Sequence, residues 1–149
     1  MEASTGTILY SKAIDEQHYP ASITKIMTAL LGCEKLNPSQ KFAMTASAAR
    51  SITETNSSSI YADTDEEFTI EQALMAVMLQ SANEMTLAVA ELTSGSTKKF
   101  VEQMNLKARQ LGCTNTHFNN PNGLPDEIHY TTASDMAKIA RELLCMVGR

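Results

Sequence analysis

A serine and a lysine lie three residues apart in the segment Ser22-Ile23-Thr24-Lys25. On a helix, this spacing places the hydroxyl and the amine on one face, about a turn apart. A serine hydroxyl is a weak nucleophile until a base removes its proton, and apolar surroundings can lower the pKa of a lysine enough for it to act as that base. The positive field at a helix N-terminus also favours a developing oxyanion. The pair is therefore a candidate for nucleophilic acyl transfer.

The S-x-x-K pattern is weak when it stands alone. About 0.7 matches are expected by chance from the serine and lysine content of this chain, and a second match runs from Ser96 to Lys99. Ser96 follows Gly95 in a turn, so its expected role is that of a helix N-cap. Capping is also the alternative to catalysis for Ser22.

A second polar motif, Ser81-Ala82-Asn83, falls where one predicted helix breaks and the next begins. At such a break, Ser81 and Asn83 can point into a shared cleft, where the serine relays a proton and the amide donates and accepts hydrogen bonds. The alternative is that both residues only punctuate a turn between helices. A Ser-His-Asp site, built from His18 or His129 with Asp135, is a further alternative, against which we favour structural histidines.

The elements that must position these motifs are mostly helical. Apolar residues recur at a period of about 3.6 after Pro20, which predicts a first helix that ends near Asn37-Pro38. The same period predicts helices over 70–79, 84–92, 97–111 and 132–146, with the helical region spanning about residues 20–146. Residues 53–69 are polar and are expected to form a loop with short strands.

The first residues indicate a different element. Met1 to Ala3 and Thr7 to Tyr10 flank a turn at Ser4-Thr5-Gly6, and the second of these segments is rich in residues that suit strands. This pattern predicts a short β-hairpin over about residues 1–11. Because one hairpin is barely stable alone, further strands or a helix must cover it.

Composition limits the function classes. With 149 residues and 43% hydrophobic content, the chain is expected to form a single ordered domain over 1–149. A net charge of -5 with scattered basic residues argues against nucleic acid as a partner. The longest apolar stretch, 73–79, is far shorter than the roughly 20 residues that span a bilayer, and the N-terminus lacks the pattern of a signal peptide.

The cysteines match no metal-binding pattern. Cys33, Cys113 and Cys145 are separated by spacings that fit no zinc motif, so we expect free buried thiols. Together with His117 and His129, Cys113 is only a weak metal candidate. We therefore predict no metal ion and no cofactor.

Several segments in register resemble one known family. Residues 20–31, PASITKIMTALL, closely resemble the active-site helix of the low-molecular-weight penicillin-binding proteins, the serine D-alanyl-D-alanine carboxypeptidases. Residues 5–10 are similar to the first hairpin of that family, and residues 81–83 to its second motif, usually S-G-N. Residues 117–124 and 129–137 resemble a later block. Together these motifs are far more specific than any one of them alone.

The resemblance implies a fold and a reaction. The implied fold is α+β, the mainly helical part of a β-lactamase/DD-peptidase-like fold with a short N-terminal β-hairpin. Ser22 would be the acylated nucleophile and Lys25 its general base, while Ser81 would pass a proton to the leaving D-alanine. Asn83 would hold Lys25 and bind the substrate's peptide amide. The implied substrate is a peptidoglycan stem peptide ending in D-Ala-D-Ala, and β-lactams would acylate the same serine.

The resemblance also implies missing parts. In the family, a second oxyanion donor comes from a strand that carries K-T-G, and neither K-T-G nor K-S-G occurs in these residues. We therefore expect a partial catalytic domain, cut at both ends, that lacks the C-terminal strands of the central sheet. The parent family is extracytoplasmic, in the cell envelope, but no signal or anchor is expected in this chain. Two alternatives follow: a catalytically silent helical scaffold that self-associates through the incomplete sheet, and a serine β-lactamase.

Overall fold

Helices are the main elements of the computed structural model, which describes residues 1–55 and 57–147. A 3-10 turn, Ala21–Thr24, leads directly into α1. The helices are α1 (Lys25–Lys35), α2 (Ala46–Thr55), α3 (Ile70–Leu79), α4 (Asn83–Ser94), α5 (Thr97–Gln110) and α6 (Ala133–Val147). The strands β1 (Lys41–Ala43) and β2 (Glu67–Thr69) form an antiparallel pair. The helices predicted over 70–79, 84–92, 97–111 and 132–146 are confirmed to within two residues at each end. The first predicted helix is also present, but it ends at Lys35, two to three residues before the expected end at Asn37-Pro38.

Capping side chains fix where two of the helices begin. The Thr69 hydroxyl accepts a hydrogen bond from the Gln72 N–H, and the Gln72 side chain accepts one from the Thr69 N–H, which forms a capping box at the start of α3. The Ser96 hydroxyl accepts a bond from the Lys99 N–H at the start of α5. The second S-x-x-K match is thus confirmed as a helix cap.

Helix α1 lies between two apolar clusters. It packs against α3, α4, α5 and α6, and its residues Met27 and Leu30 have no exposed surface. One cluster includes Phe100, Met104 and Phe118, and the other forms around α2, α3 and α4. Because α1 is enclosed on several sides, the side chains of its first turn, which begins at Lys25, are held in a fixed position.

The N-terminal segment forms the predicted turn but no strands, which corrects the predicted β-hairpin over residues 1–11. The Glu2 N–H donates to the Thr7 carbonyl at 2.8 Å, and the Gly6 N–H donates to the Glu2 carbonyl at 2.9 Å. The pairing stops there, since a two-stranded hairpin is marginal without a covering layer and the next residues, Leu9 and Tyr10, are largely exposed. The sheet of the described residues lies instead between β1 and β2.

The asparagine-rich turn over residues 119–124 folds back over the start of α1. The Asn120 side chain accepts a hydrogen bond from the Gly123 N–H at 2.7 Å and donates one to the Leu124 carbonyl at 2.9 Å. Gly123 has a φ of 86°, and a Cβ built there would lie 1.8 Å from the Ala21 carbonyl oxygen. Only glycine allows the backbone at position 123 to approach the 3-10 turn Ala21–Thr24 so closely.

We predict that Gly123→Ala destabilises the fold by roughly 2–5 kcal/mol, since a left-handed backbone and an overlap with backbone atoms both add to the cost. Gly112→Ala is the matched control, because Gly112 also has a positive φ of 72° but its Cβ would meet no atom within 4 Å. That control should lose only about 1–2 kcal/mol. Urea denaturation measures both, and equal losses would show that the close approach at Gly123 carries no cost.

Candidate active site

Three predicted side chains meet at the first turn before α1. The Lys25 Nζ lies 3.4 Å from the Ser22 Oγ, and the Ser81 Oγ donates to the Ser22 Oγ at 3.0 Å. Ser22 is exposed, whereas Lys25 is only 3% exposed. The arrangement therefore presents a hydroxyl to solvent with a buried amine behind it and a second hydroxyl beside it.

The surroundings of Lys25 suit it to act as a base. Burial lowers its pKa from 10.5 to about 8, while the negative charge of Glu84 acts in the opposite direction. The Lys25 Nζ also donates a hydrogen bond to the Asn122 carbonyl at 2.8 Å. At pH 7, roughly a tenth of Lys25 is thus neutral and can take a proton from Ser22 while it remains bound to Asn122.

Strained backbone occurs at both motifs. Ala21, directly before Ser22, has a φ of 49°, and Ser81 has a φ of 57°. Residues other than glycine avoid this region, and they persist there only where the surrounding structure imposes it, often at functional sites. The strain at Ser81 coincides with the break between α3 and α4, where its hydroxyl reaches Ser22.

Ser22 does not cap a helix. Pro20 is the N-cap residue of the 3-10 turn, and no side chain provides a capping hydrogen bond there. Ser22 lies inside that turn, and its hydroxyl is bonded to Ser81 and Lys25 instead. The capping alternative for Ser22 is therefore wrong.

Asn83 begins α4 and is buried beside the cluster. Its N–H donates to the Ser58 carbonyl at 2.9 Å, and its side chain is only 5% exposed. Its Oδ1 has no hydrogen-bond partner among the described residues. The structure thus shows Lys25 bonded to Ser22 and to the Asn122 carbonyl, while the Asn83 oxygen remains free to accept a hydrogen bond.

His129 contacts Thr24, the residue directly before α1. Its Nδ1 accepts a hydrogen bond from the Asn119 N–H at 2.9 Å, so the neutral ring carries its proton on Nε2, 2.8 Å from the Thr24 Oγ1. Its ring meets Phe118 edge-on. Burial lowers the pKa of His129, which keeps this neutral form.

The Ser-His-Asp alternative is not supported. The Asp135 carboxylate accepts hydrogen bonds from the Asn115 N–H, the Thr116 hydroxyl and the Lys138 ammonium. Its partners are thus in the segment before α6 and in α6 itself, while His129 is bonded to Thr24 and Asn119. The buried histidine is structural, as expected.

Neither a metal-binding cluster nor a membrane-spanning helix occurs within residues 1–55 and 57–147. No group of three His, Cys, Asp or Glu side chains there could hold a metal ion. All three cysteines are free, with Cys113 buried and Cys33 and Cys145 half-buried. No helix in that part of the chain is long and apolar enough to cross a membrane.

Sequence patterns did not indicate three features that complete the site. These are the Asn122 carbonyl on Lys25, the Glu84 carboxylate, and the bond between His129 and Thr24. The strong turn signal at residues 119–123 locates the backbone that supplies the first of them. It contains no information on which helix that turn contacts.

An exposed serine beside a buried lysine and a second serine is the arrangement that the S-x-x-K motif provides in penicillin-binding proteins and related serine enzymes. The family model described as Peptidase_S11, D-alanyl-D-alanine carboxypeptidase, matches residues 1–147. The chain therefore belongs to this family.

Individual relatives agree with this assignment. The D-alanyl-D-alanine carboxypeptidase DacF of Bacillus subtilis is 41% identical over 145 residues, which are 97% of this chain and 37% of the relative. The crystal structure of the Streptomyces K15 DD-transpeptidase superposes with a TM-score of 0.92 at 33% identity, over 97% of this chain and 58% of that one. The crystal structure of penicillin-binding protein 5 from Haemophilus influenzae superposes with a TM-score of 0.90 at 32% identity, over 100% of this chain and 44% of that one.

These comparisons confirm the predicted fold class, the mainly helical part of a β-lactamase/DD-peptidase-like fold. The chain spans between about a third and three-fifths of the length of the three proteins named.

We predict that the free energy of unfolding falls as the pH is lowered from 7 to 5, and that His129→Gln reduces this fall. The lowered pKa of His129 means that the unfolded chain takes up its proton more readily than the folded one, so stability present above pH 6.5 is lost on acidification. Urea denaturation at pH 7, 6 and 5 compares the two proteins. An equal fall in both would contradict a buried neutral His129.

Proposed function

We propose that this chain is the nucleophile-bearing part of a serine D-Ala-D-Ala carboxypeptidase, a partial catalytic domain over 1–149 in which Ser22 forms the acyl-enzyme. The observation that carries the proposal is the meeting of Ser22, Lys25 and Ser81, within 3.4 Å and 3.0 Å of the nucleophilic oxygen. The family match supports the carboxypeptidase over a serine β-lactamase.

In the proposed acylation, neutral Lys25 accepts the proton of Ser22 as its Oγ attacks the carbonyl carbon of the penultimate D-alanine. The tetrahedral intermediate collapses, the peptide bond breaks, and an ester to Ser22 remains. Ser81, bonded to Ser22, relays the proton that Lys25 accepted to the nitrogen of the departing D-alanine, which leaves Lys25 neutral again. Water then hydrolyses the ester, which restores the free hydroxyl. A β-lactam enters by the same attack, with its ring amide in place of the peptide bond.

Two further groups support this role. The free Oδ1 of Asn83 can accept the N–H of a substrate peptide, which would satisfy a buried oxygen that otherwise costs about 1–3 kcal/mol. The N–H of Ser22 can supply one oxyanion donor. The resemblance implies a second donor on a K-T-G strand, a motif that these residues do not contain, and loss of one donor typically slows acylation on the order of 10²–10³-fold.

The proposed partners are peptidoglycan stem peptides ending in D-Ala-D-Ala and β-lactams, and the proposed location is the extracytoplasmic cell envelope. Both follow from membership of the family. No cofactor enters the proposed reaction, because the base, the relay and the nucleophile are all side chains of this chain.

A second candidate is a catalytically silent scaffold that self-associates. One observation favours it: apolar side chains on α3 and α6 are widely exposed, with Leu79 at 80%, Leu144 at 62% and Val147 at 70%. Such a surface invites a partner. The two candidates differ in whether Ser22 reacts.

We predict that a fluorescent penicillin labels the chain covalently and that Ser22→Ala abolishes the label. Ser96→Ala is the matched control, because Ser96 begins the other S-x-x-K match but caps a helix, so its label should be unchanged. Labelling should be slow, on the order of 10²–10³ below that of an enzyme with both oxyanion donors. Gel fluorescence and peptide mass spectrometry locate the adduct. Label that persists in Ser22→Ala, or its absence from the unsubstituted chain, would contradict the proposal.

A further inference from the structure

The proposed reaction gives no role to the buried carboxylate of Glu84. Glu84 lies in the first turn of α4, one residue after Asn83, and has no exposed surface. Its Oε1 accepts hydrogen bonds from the Ser59 hydroxyl at 2.7 Å and from the Ile60 N–H at 2.8 Å. These bonds tie residues 59–60 to the start of the helix that carries the Asn83 side chain.

The second oxygen of Glu84 has no such partner. Oε2 is buried and accepts no hydrogen bond from the described residues. Both donors to Oε1 are neutral, and an uncompensated buried charge is strongly destabilising. The Glu84 carboxylate therefore needs a positive charge from a neighbouring element.

Lys25 is the cationic side chain on which the Glu84 charge acts, without a direct hydrogen bond between the two. Helix α1, which begins at Lys25, packs against α4, and both side chains are buried. The negative charge of Glu84 raises the pKa of Lys25 against the effect of burial. The Lys25 ammonium donates hydrogen bonds to the Ser22 hydroxyl and the Asn122 carbonyl, which are both uncharged. The neutral ring of His129 is bonded to the adjacent Thr24.

We propose that Glu84 is a positioning residue for the acylation step, whose buried carboxylate both anchors residues 59–60 to the start of α4 and balances the charge that Lys25 acquires from Ser22. This inference rests on the proposed function in making Lys25 the base. A base that is too weakly basic cannot hold a proton in the transition state, and one that is too basic is never free to accept it. Burial lowers the pKa of Lys25 and the charge of Glu84 raises it, so together they keep this pKa between the two limits.

The test is the titration of Lys25 in the 149-residue chain, followed through its ¹³Cε resonance in lysine-labelled protein and assigned with Lys25→Arg. The midpoint should lie near pH 8 in the unsubstituted chain and at a lower pH in Glu84→Gln, because the variant keeps an oxygen for Ser59 and Ile60 but has no charge. Glu84→Met also removes the charge and serves if Glu84→Gln does not fold.

Ser59→Ala is the matched control. It removes one hydrogen bond to Glu84 but keeps the charge, so its Lys25 midpoint should stay near pH 8. An unchanged midpoint in Glu84→Gln or Glu84→Met, or an equal shift in Ser59→Ala, would overturn the inference. The titration needs no acylation, so a chain that takes no penicillin label but shows the expected shifts would refute the proposed function and leave the charge balance standing.

Discussion

Burial of one ammonium group, that of Lys25, is the constraint on which the site depends. Water solvates a lysine strongly, so a lysine held almost entirely out of water has a lowered pKa and becomes a usable base. The cost of this burial is limited by what surrounds the amine. A carbonyl of the turn at residues 119–124 accepts a hydrogen bond from it, and the charge of the Glu84 carboxylate raises its pKa against the effect of burial.

Much of the architecture serves to place that amine. Helix α1 is enclosed by four other helices, which fixes the direction in which Lys25 leaves its first turn. Gly123 brings the turn into contact with Ala21, and His129 is bonded to Thr24. The left-handed backbone at Ala21 and Ser81 then sets the two hydroxyl groups against one another. Folding energy from the apolar clusters thus maintains a strained polar arrangement.

Sequence patterns located the helices with a clear apolar period and missed elements that lack one. Helix α3 matched its prediction at both ends, because its apolar period and its Thr69 cap agree. Helix α2 and strand β1 were not predicted, since α2 is rich in small and polar residues and β1 has only three residues. At the N-terminus, strand-forming residues gave only a turn because no third strand pairs with them.

Ser22 and Ser81 were recognisable as parts of motifs, but the contact between Lys25 and the Asn122 carbonyl joins residues 97 positions apart, which no local pattern encodes.

The role of buried Lys25 as the base is tested most directly by the rate of Ser22 acylation as a function of pH. This rate is followed between pH 6 and 10 through the penicillin adduct, detected by its mass. If Lys25 in its buried state is the base, the rate should rise with pH and reach its midpoint near pH 8. A rate that does not change over this range, or a midpoint near the ordinary lysine value of 10.5, would contradict the claim that burial of Lys25 activates Ser22.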